Sequence, residues 1–221
     1  MGLGGLKKLR EMQEKTQGSG FKRFKISDGQ KFKIRLLQEL DEESKNYNES
    51  AGTARAVVRH TPEGKTGYLN AFECTEDEGQ CYGCEKWREG NKDWRGQGRL
   101  FVNVLVRETP DSEEYVAVLE QGVNSKNVVT NALLETADDY DTVTNRWWKI
   151  GRSGSGISDT TYTFTSFDSD DEVHSGHELF DLGVVLKSLS YDEQVAASEA
   201  SEESAPKAKR EVTSEAMSDE W

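Results

Sequence analysis

The stretch FKRFKISDGQKFKIRLL, residues 21–37, decides how the chain is read. In its second half Phe32, Ile34 and Leu36 alternate with Lys31, Lys33 and Arg35. That is the two-residue period of a strand with one buried face, and its outer face is cationic. Short aromatic and β-branched runs at Ala54–Arg59, Tyr68–Phe72, Leu100–Arg107, Tyr115–Leu119, Arg146–Ile150 and Thr161–Thr165 predict further strands. Two helices are expected. One spans Ser125–Leu134, with Ser125 as cap and Val128, Val129, Ala132 and Leu133 as its apolar face; the other spans Glu178–Leu189. About five core strands with one helix between two of them describe a mainly β protein built as a small Greek-key barrel with a few short helices.

Working outward, 34% of the 221 residues are hydrophobic and 31% are charged, which predicts a folded core with polar ends. At one end Leu3, Leu6, Leu9 and Met12 recur at helical spacing among Lys7, Lys8 and Arg10, ahead of Gly18, Ser19 and Gly20. Residues 1–20 therefore read as a basic arm that orders on contact with protein rather than membrane, because its apolar face spans only a turn or so. At the other end large apolar residues give way to Ala, Ser, Glu and Lys, so residues 191–221 are expected to form a disordered acidic tail. Its tip, Asp219, Glu220 and Trp221, suits docking to partner proteins. The core is then 21–190. No run of 18 apolar residues and no apolar N-terminal segment occurs, which predicts a chain that neither spans a membrane nor is secreted and that works in a reducing cytoplasm.

A formal net charge of −13 argues, taken alone, against a polyanionic partner. The charge is polarised, however. Residues 1–40 hold ten basic and four acidic side chains, whereas residues 191–221 hold three basic and nine acidic. Residues 100–190 hold six basic and sixteen acidic, so a polyanion site there must be a local patch.

His60, Cys74, Cys81 and Cys84 are spaced H-x13-C-x6-C-x2-C, and the CYGC run lets two thiolates reach one ion. Four N/S ligands with no open position describe one structural, tetrahedral zinc. Gly83 is expected to ease the turn. The HSGH pair, His174 and His177, is a second source for the fourth ligand. A redox reading of CxxC needs a βαβ unit and leaves Cys74 unexplained. Zinc would clamp an insertion at about residues 60–95. It would hold Tyr68, Phe72, Tyr82, Trp87 and Trp94 beside Lys65, Arg88, Lys92, Arg95 and Arg99. Rings for bases and cations for phosphates are what single-stranded nucleic acid requires. Arg55, Arg59, Arg146, Trp147, Arg152 and Tyr162 complete the candidate contacts. Not all can be exposed, and of the adjacent Trp147 and Trp148 one is expected to face the core.

Taken in order, a basic arm, an early His followed by three Cys ending in CxxC, and an acidic tail resemble the zinc-containing single-stranded DNA-binding proteins of tailed phages, of the T-even helix-destabilising type. The segment RWWKIGRSGSGISDTTYTF, Arg146–Phe164, resembles their late core strands. The resemblance implies an OB-fold core that binds single-stranded DNA cooperatively and without sequence preference, in the cytoplasm of an infected bacterial host. It also implies an arm (Lys7, Lys8, Arg10) that joins neighbouring copies, and a tail that recruits replication, recombination and repair proteins. No enzyme is expected: no nucleophile and base pair stands out, and Gly151–Gly156 lacks the lysine of a phosphate-binding loop. Two other readings compete. One is a zinc-stabilised interaction, transcription or assembly factor that binds no nucleic acid, which the net charge favours. The other is a metallonuclease using Asp168, Asp170, Asp171 and His174.

Overall fold

The computed structural model describes residues 21–62, 71–156, 159–169, 176–186 and 188–202. Seven strands form one open antiparallel sheet: β1 Lys31–Leu36, β2 Arg55–His60, β3 Phe72–Glu73, β4 Gln97–Arg107, β5 Tyr115–Gly122, β6 Arg146–Ser153 and β7 Thr161–Ser169. Four α-helices accompany it among the described residues, α1 Tyr82–Arg88, α2 Val128–Tyr140, α3 Leu182–Val185 and α4 Tyr191–Glu202, with single 3-10 turns at Glu76–Glu78 and Lys92–Trp94. The expectation of a mainly β chain with a few short helices holds.

The long strand β4 organises the sheet. Along one edge it pairs with β5 from Arg99 to Val106; along the other, β2 takes Gln97–Phe101 and β1 takes Val104–Arg107. Next come β6 against β1 and β7 against β6. The order β6-β1-β4-β5 is a Greek key, in which a fourth strand returns by a long connection to lie beside the first. That connection carries α2, which packs against both β5 and β7. Between β1 and β4 the chain inserts β2, β3 and α1.

Alternation along the strands builds the core. Ile34 and Leu36 of β1, Leu100, Val102, Val104 and Val106 of β4, and Trp148 and Ile150 of β6 point to one side, where Val129 and Leu133 of α2 meet them. Trp148 stacks on Phe164, with ring centroids 4.5 Å apart. Each such side chain contributes on the order of 1.5–3 kcal/mol on burial. Trp147 points the opposite way yet is buried as well, because the Arg107 guanidinium lies over its ring at 4.6 Å. Arg35, expected on the cationic outer face, is fully buried and donates to the Thr144 carbonyl at 2.9 Å.

Three local expectations change. The cap of α2 is Asn127, not Ser125; its side chain accepts from the Thr130 amide. The helix expected over Glu178–Leu189 is a single turn, α3, because a side chain holds Phe180 in an extended pairing. Asn103 Nδ2 donates to the Phe180 carbonyl and Asn103 Oδ1 accepts from the Phe180 amide, each at 3.0 Å. Phe180, Leu182 and Leu186 thereby cover Phe101 and Val118 on the outward face of β4 and β5. The tail expected to be disordered from residue 191 is helical over Tyr191–Glu202. A capping box starts it: the Ser190 amide and hydroxyl both donate to Glu193 Oε2 at 2.8 Å, holding that carboxyl below its ordinary pKa.

Asn103 is completely buried, and its side chain also donates to Gln38 Oε1 at 3.0 Å. Asn103→Leu is expected to cost about 1–3 kcal/mol in chemical denaturation, since it strands the Phe180 backbone groups. It should also speed hydrogen exchange at the Phe180 amide. Unchanged protection there would show that the outer segment is held by apolar packing alone.

Candidate metal centre and adjoining groove

His60 ends β2 and pairs in register with Phe72 of β3, so the sheet itself fixes the imidazole. Cys74 follows β3, Cys81 caps the N-terminus of α1, and Cys84 lies in its first turn. Four donors from β2, β3 and α1 thus converge, with ligand atoms all within 4.8 Å of one another. Cys84 Sγ is 3.5 Å from Cys74 Sγ and 3.4 Å from His60 Nε2. His60 Nδ1 lies 2.7 Å from the Trp94 carbonyl, so it donates its proton there and leaves Nε2 to face the thiols. This is the orientation a metal-ligating histidine requires. His177 is not part of the cluster. His174 lies outside the described residues.

The thiols differ in acidity. Burial pushes Cys74 up to about 11 and Cys84 up to about 12. Burial opposes ionisation of Cys81 too, but hydrogen bonds from the Cys84 and Thr75 amides outweigh it and lower that pKa. Burial also lowers the pKa of His60, which keeps the ring neutral and free to ligate. A metal ion must displace the remaining thiol protons as it binds. The three thiols and one imidazole, partly or fully buried and convergent, fit a tetrahedral ion with no position left open.

Two glycines give the imidazole its place. A Cβ on Gly83 would lie 2.8 Å from His60 Cδ2, and one on Gly96 would lie 2.7 Å from Val58 Cγ1 and 3.1 Å from His60 Cε1. Gly83 is helical, so its role is clearance for the ring rather than the turn expected of it. A polar clamp secures the outer side: the buried Gln194 of α4 accepts from the Tyr82 amide at 2.9 Å and donates to Thr75 Oγ1 at 2.8 Å. Beside it, the Tyr191 hydroxyl donates to Glu85 at 2.6 Å.

Between this centre and the sheet lies an open groove of about 600 Å³, lined by Val58, Gly96, Gly98, Val123, Trp87 and Arg95, with Glu73, Glu76 and Asp77 along one wall. Trp87, Val58 and Val123 are each close to half exposed, an unusual grouping of uncovered apolar side chains.

The expected nucleic-acid contacts divide sharply. Trp87, Lys92 and Arg95 are exposed, as is Arg88, which pairs with Glu76. Phe72 and Trp94 are core, packed on each other and, for Phe72, on His60. Tyr82 is wedged between Trp94 and Tyr191. Arg59 is buried, donates to the Ala71 carbonyl at 2.6 Å and lies over Phe101. Arg146 is buried over Tyr140, and Trp147 is covered by Arg107. Arg55 pairs with Glu73 at 3.3 Å, and Arg99 lies 3.7 Å from Glu120. Arg152 donates to the Ile26 carbonyl at 3.1 Å, and its cross-strand partner Tyr162 is half-buried. The buried rings and cations cannot touch a ligand. Lys65 and Tyr68, Lys7, Lys8 and Arg10, Asp219, Glu220 and Trp221, and Asp170 and Asp171 all lie outside the described residues. Val58 and Val123 escaped the sequence reading, whose signal was restricted to aromatic and basic types.

Comparison with family models, curated proteins and solved structures finds no match. Among the described residues no helix is long and apolar enough to cross a membrane. The geometry predicts one metal ion per chain, absent from the Cys81→Ser, Cys84→Ser variant on elemental analysis. Gly83→Ala should weaken retention against a chelator by about 1–3 kcal/mol through overpacking of the imidazole. Equal retention by Gly83→Ala and the parent would contradict the clearance role.

Proposed function

We propose that the protein binds single-stranded DNA without sequence preference, the strand lying in the groove beside a structural zinc site. The groove carries this reading: it places the exposed Trp87 indole and two uncovered valines next to Arg95. Indole faces stack on any base, and cations meet phosphates. Three thiolates and an imidazole suit zinc, whose contribution is to hold the insertion in shape.

The fold supports the same reading. The Greek key, with β7 added to β6 and α2 between β5 and β7, has a strand order compatible with an OB-fold plan, although the sheet stays open where the expected barrel would close. In that plan the loop between the first two strands and the loop between the last two border the ligand. Here the first of these loops is the metal-bearing insertion. In this account the arm, through Lys7, Lys8 and Arg10, joins neighbouring copies on DNA. The tail recruits replication and recombination proteins through Asp219, Glu220 and Trp221.

One observation favours a second reading, a zinc-stabilised protein-interaction module: Glu73, Glu76 and Asp77 line one wall of the groove and would suit a basic peptide. Titration with oligo(dT), followed by tryptophan fluorescence, separates the two. DNA binding predicts quenching with salt-sensitive affinity, and Trp87→Ala should abolish most of the quench and cost about 1–3 kcal/mol of affinity. Silence with oligo(dT) at low salt would discard the DNA reading in favour of the peptide one.

A further inference from the structure

A cationic surface lies on the other side of the sheet. In register across four strands, Arg107 of β4 stands opposite Lys33 of β1, Lys33 opposite Lys149 of β6, and Lys149 opposite Thr165 of β7. One step along, Lys31 faces Gly151, and Gly151 faces Thr163. All these side chains share the outward face, since Ile34, Trp148 and Ile150 between them are core. Lys31, Lys33, Lys149 and Arg107 line a shallow depression of about 160 Å³ beside Pro110 and Glu108.

Three features make this row unusual. Like charges directly opposite one another in a sheet are destabilising, and here three cations stand side by side. Arg107 alone is compensated, donating to Glu114 at 2.7 Å, while Lys31, Lys33 and Lys149 form no ion pair with any described residue. The chain has 41 acidic side chains against 28 basic, yet among the positions in register here, from Lys31 and Lys33 through Lys149 and Gly151 to Thr163 and Thr165, none is acidic. Nor is the row a guard against edge pairing, the usual reason for strand lysines, because β1 and β6 are interior strands. The repulsion is kept where sheet stability would remove it.

We infer that the unpaired Lys31, Lys33 and Lys149 on the outward face of β1 and β6 bind the phosphodiester backbone of single-stranded DNA, as a contact surface separate from the groove. This rests on the DNA-binding reading above. The chemistry is that of backbone contact: ammonium groups for phosphate charge and the exposed Thr163 and Thr165 hydroxyls as further donors. Phe167, with Lys33 Nζ 4.7 Å from its ring centroid, closes one end with an aromatic face. Gly151 keeps the floor flat, since a Cβ there would lie 2.7 Å from Thr163 Oγ1 and 3.4 Å from Lys31 Cγ. The groove-lining Val58 and Gly98 face inward whereas the lysines face outward, so a strand seated in the groove reaches them only by continuing round the sheet.

The test uses the full chain and oligo(dT) long enough to pass beyond the groove, with affinity measured against salt concentration. Removing one cation from a phosphate lowers the slope of log K against log salt by about 0.7 for a single strand, so Lys33→Gln, Lys149→Gln should lower it by about 1.4. The melting temperature of that variant should equal or exceed the parent's, because the repulsion is relieved. Lys33→Arg, Lys149→Arg should restore the slope, and Trp87 quenching should persist throughout. An unchanged slope in the glutamine variant, with the parent binding normally, overturns the surface but leaves the groove. Tighter binding by that variant also overturns it, by showing that the row holds the chain's own acidic residues. A parent that does not bind oligo(dT) at all overturns both this surface and the reading it rests on.

Discussion

The His60 imidazole joins the sheet to its insertion, and the rest of the site depends on that joint. The ring belongs to the sheet through β2, rests against Phe72, bonds through Nδ1 to the Trp94 carbonyl and presents Nε2 to Cys84. Both sides of the insertion therefore meet at one side chain. A closed zinc site of this composition is worth on the order of 10–16 kcal/mol at neutral pH. No single apolar contact in the insertion approaches that. Without the joint, Cys74 keeps β3, two residues long, and its amide's bond to the Val58 carbonyl, while α1 keeps the clamp from Gln194.

Charge is sorted by surface rather than diluted over the molecule. In a chain of net charge −13, the exposed cations among the described residues include Lys92 and Arg95 near the groove and Lys31 and Lys149 of the outward sheet row. Other cations serve the fold. Arg35, Arg59 and Arg146 are buried against backbone carbonyls, side-chain oxygen or rings. Composition averages over both kinds, which is why net charge alone is a poor guide to polyanion binding here.

Strand positions and the metal donors were legible because both are local. Alternation in β1 and short aromatic, β-branched runs elsewhere placed most strands to within a few residues, and Cys-x-x-Cys brings its thiols together through one helical turn. What was not legible depends on distant partners. Nothing near Phe180 announces that Asn103, 77 residues away, will hold it extended in place of a helix. Nothing near Tyr82 announces that Gln194, 112 residues away, will clamp it. Trp87 and Trp94 sit in the same aromatic, basic stretch, and only packing on Phe72 separates the buried ring from the exposed one. The start of α4 was an exception, since Ser190 and Glu193 form a capping box that is visible in the sequence.

The central claim is that a metal-held joint at His60 maintains a groove for single-stranded DNA. The most direct measurement removes the metal from the full chain, quantifies it, and records oligo(dT) affinity before removal, after removal and after zinc is restored. The account predicts one zinc per chain, loss of affinity on removal and recovery on restoration. A chain that holds no metal as purified, or that binds oligo(dT) equally well without it, would contradict the account.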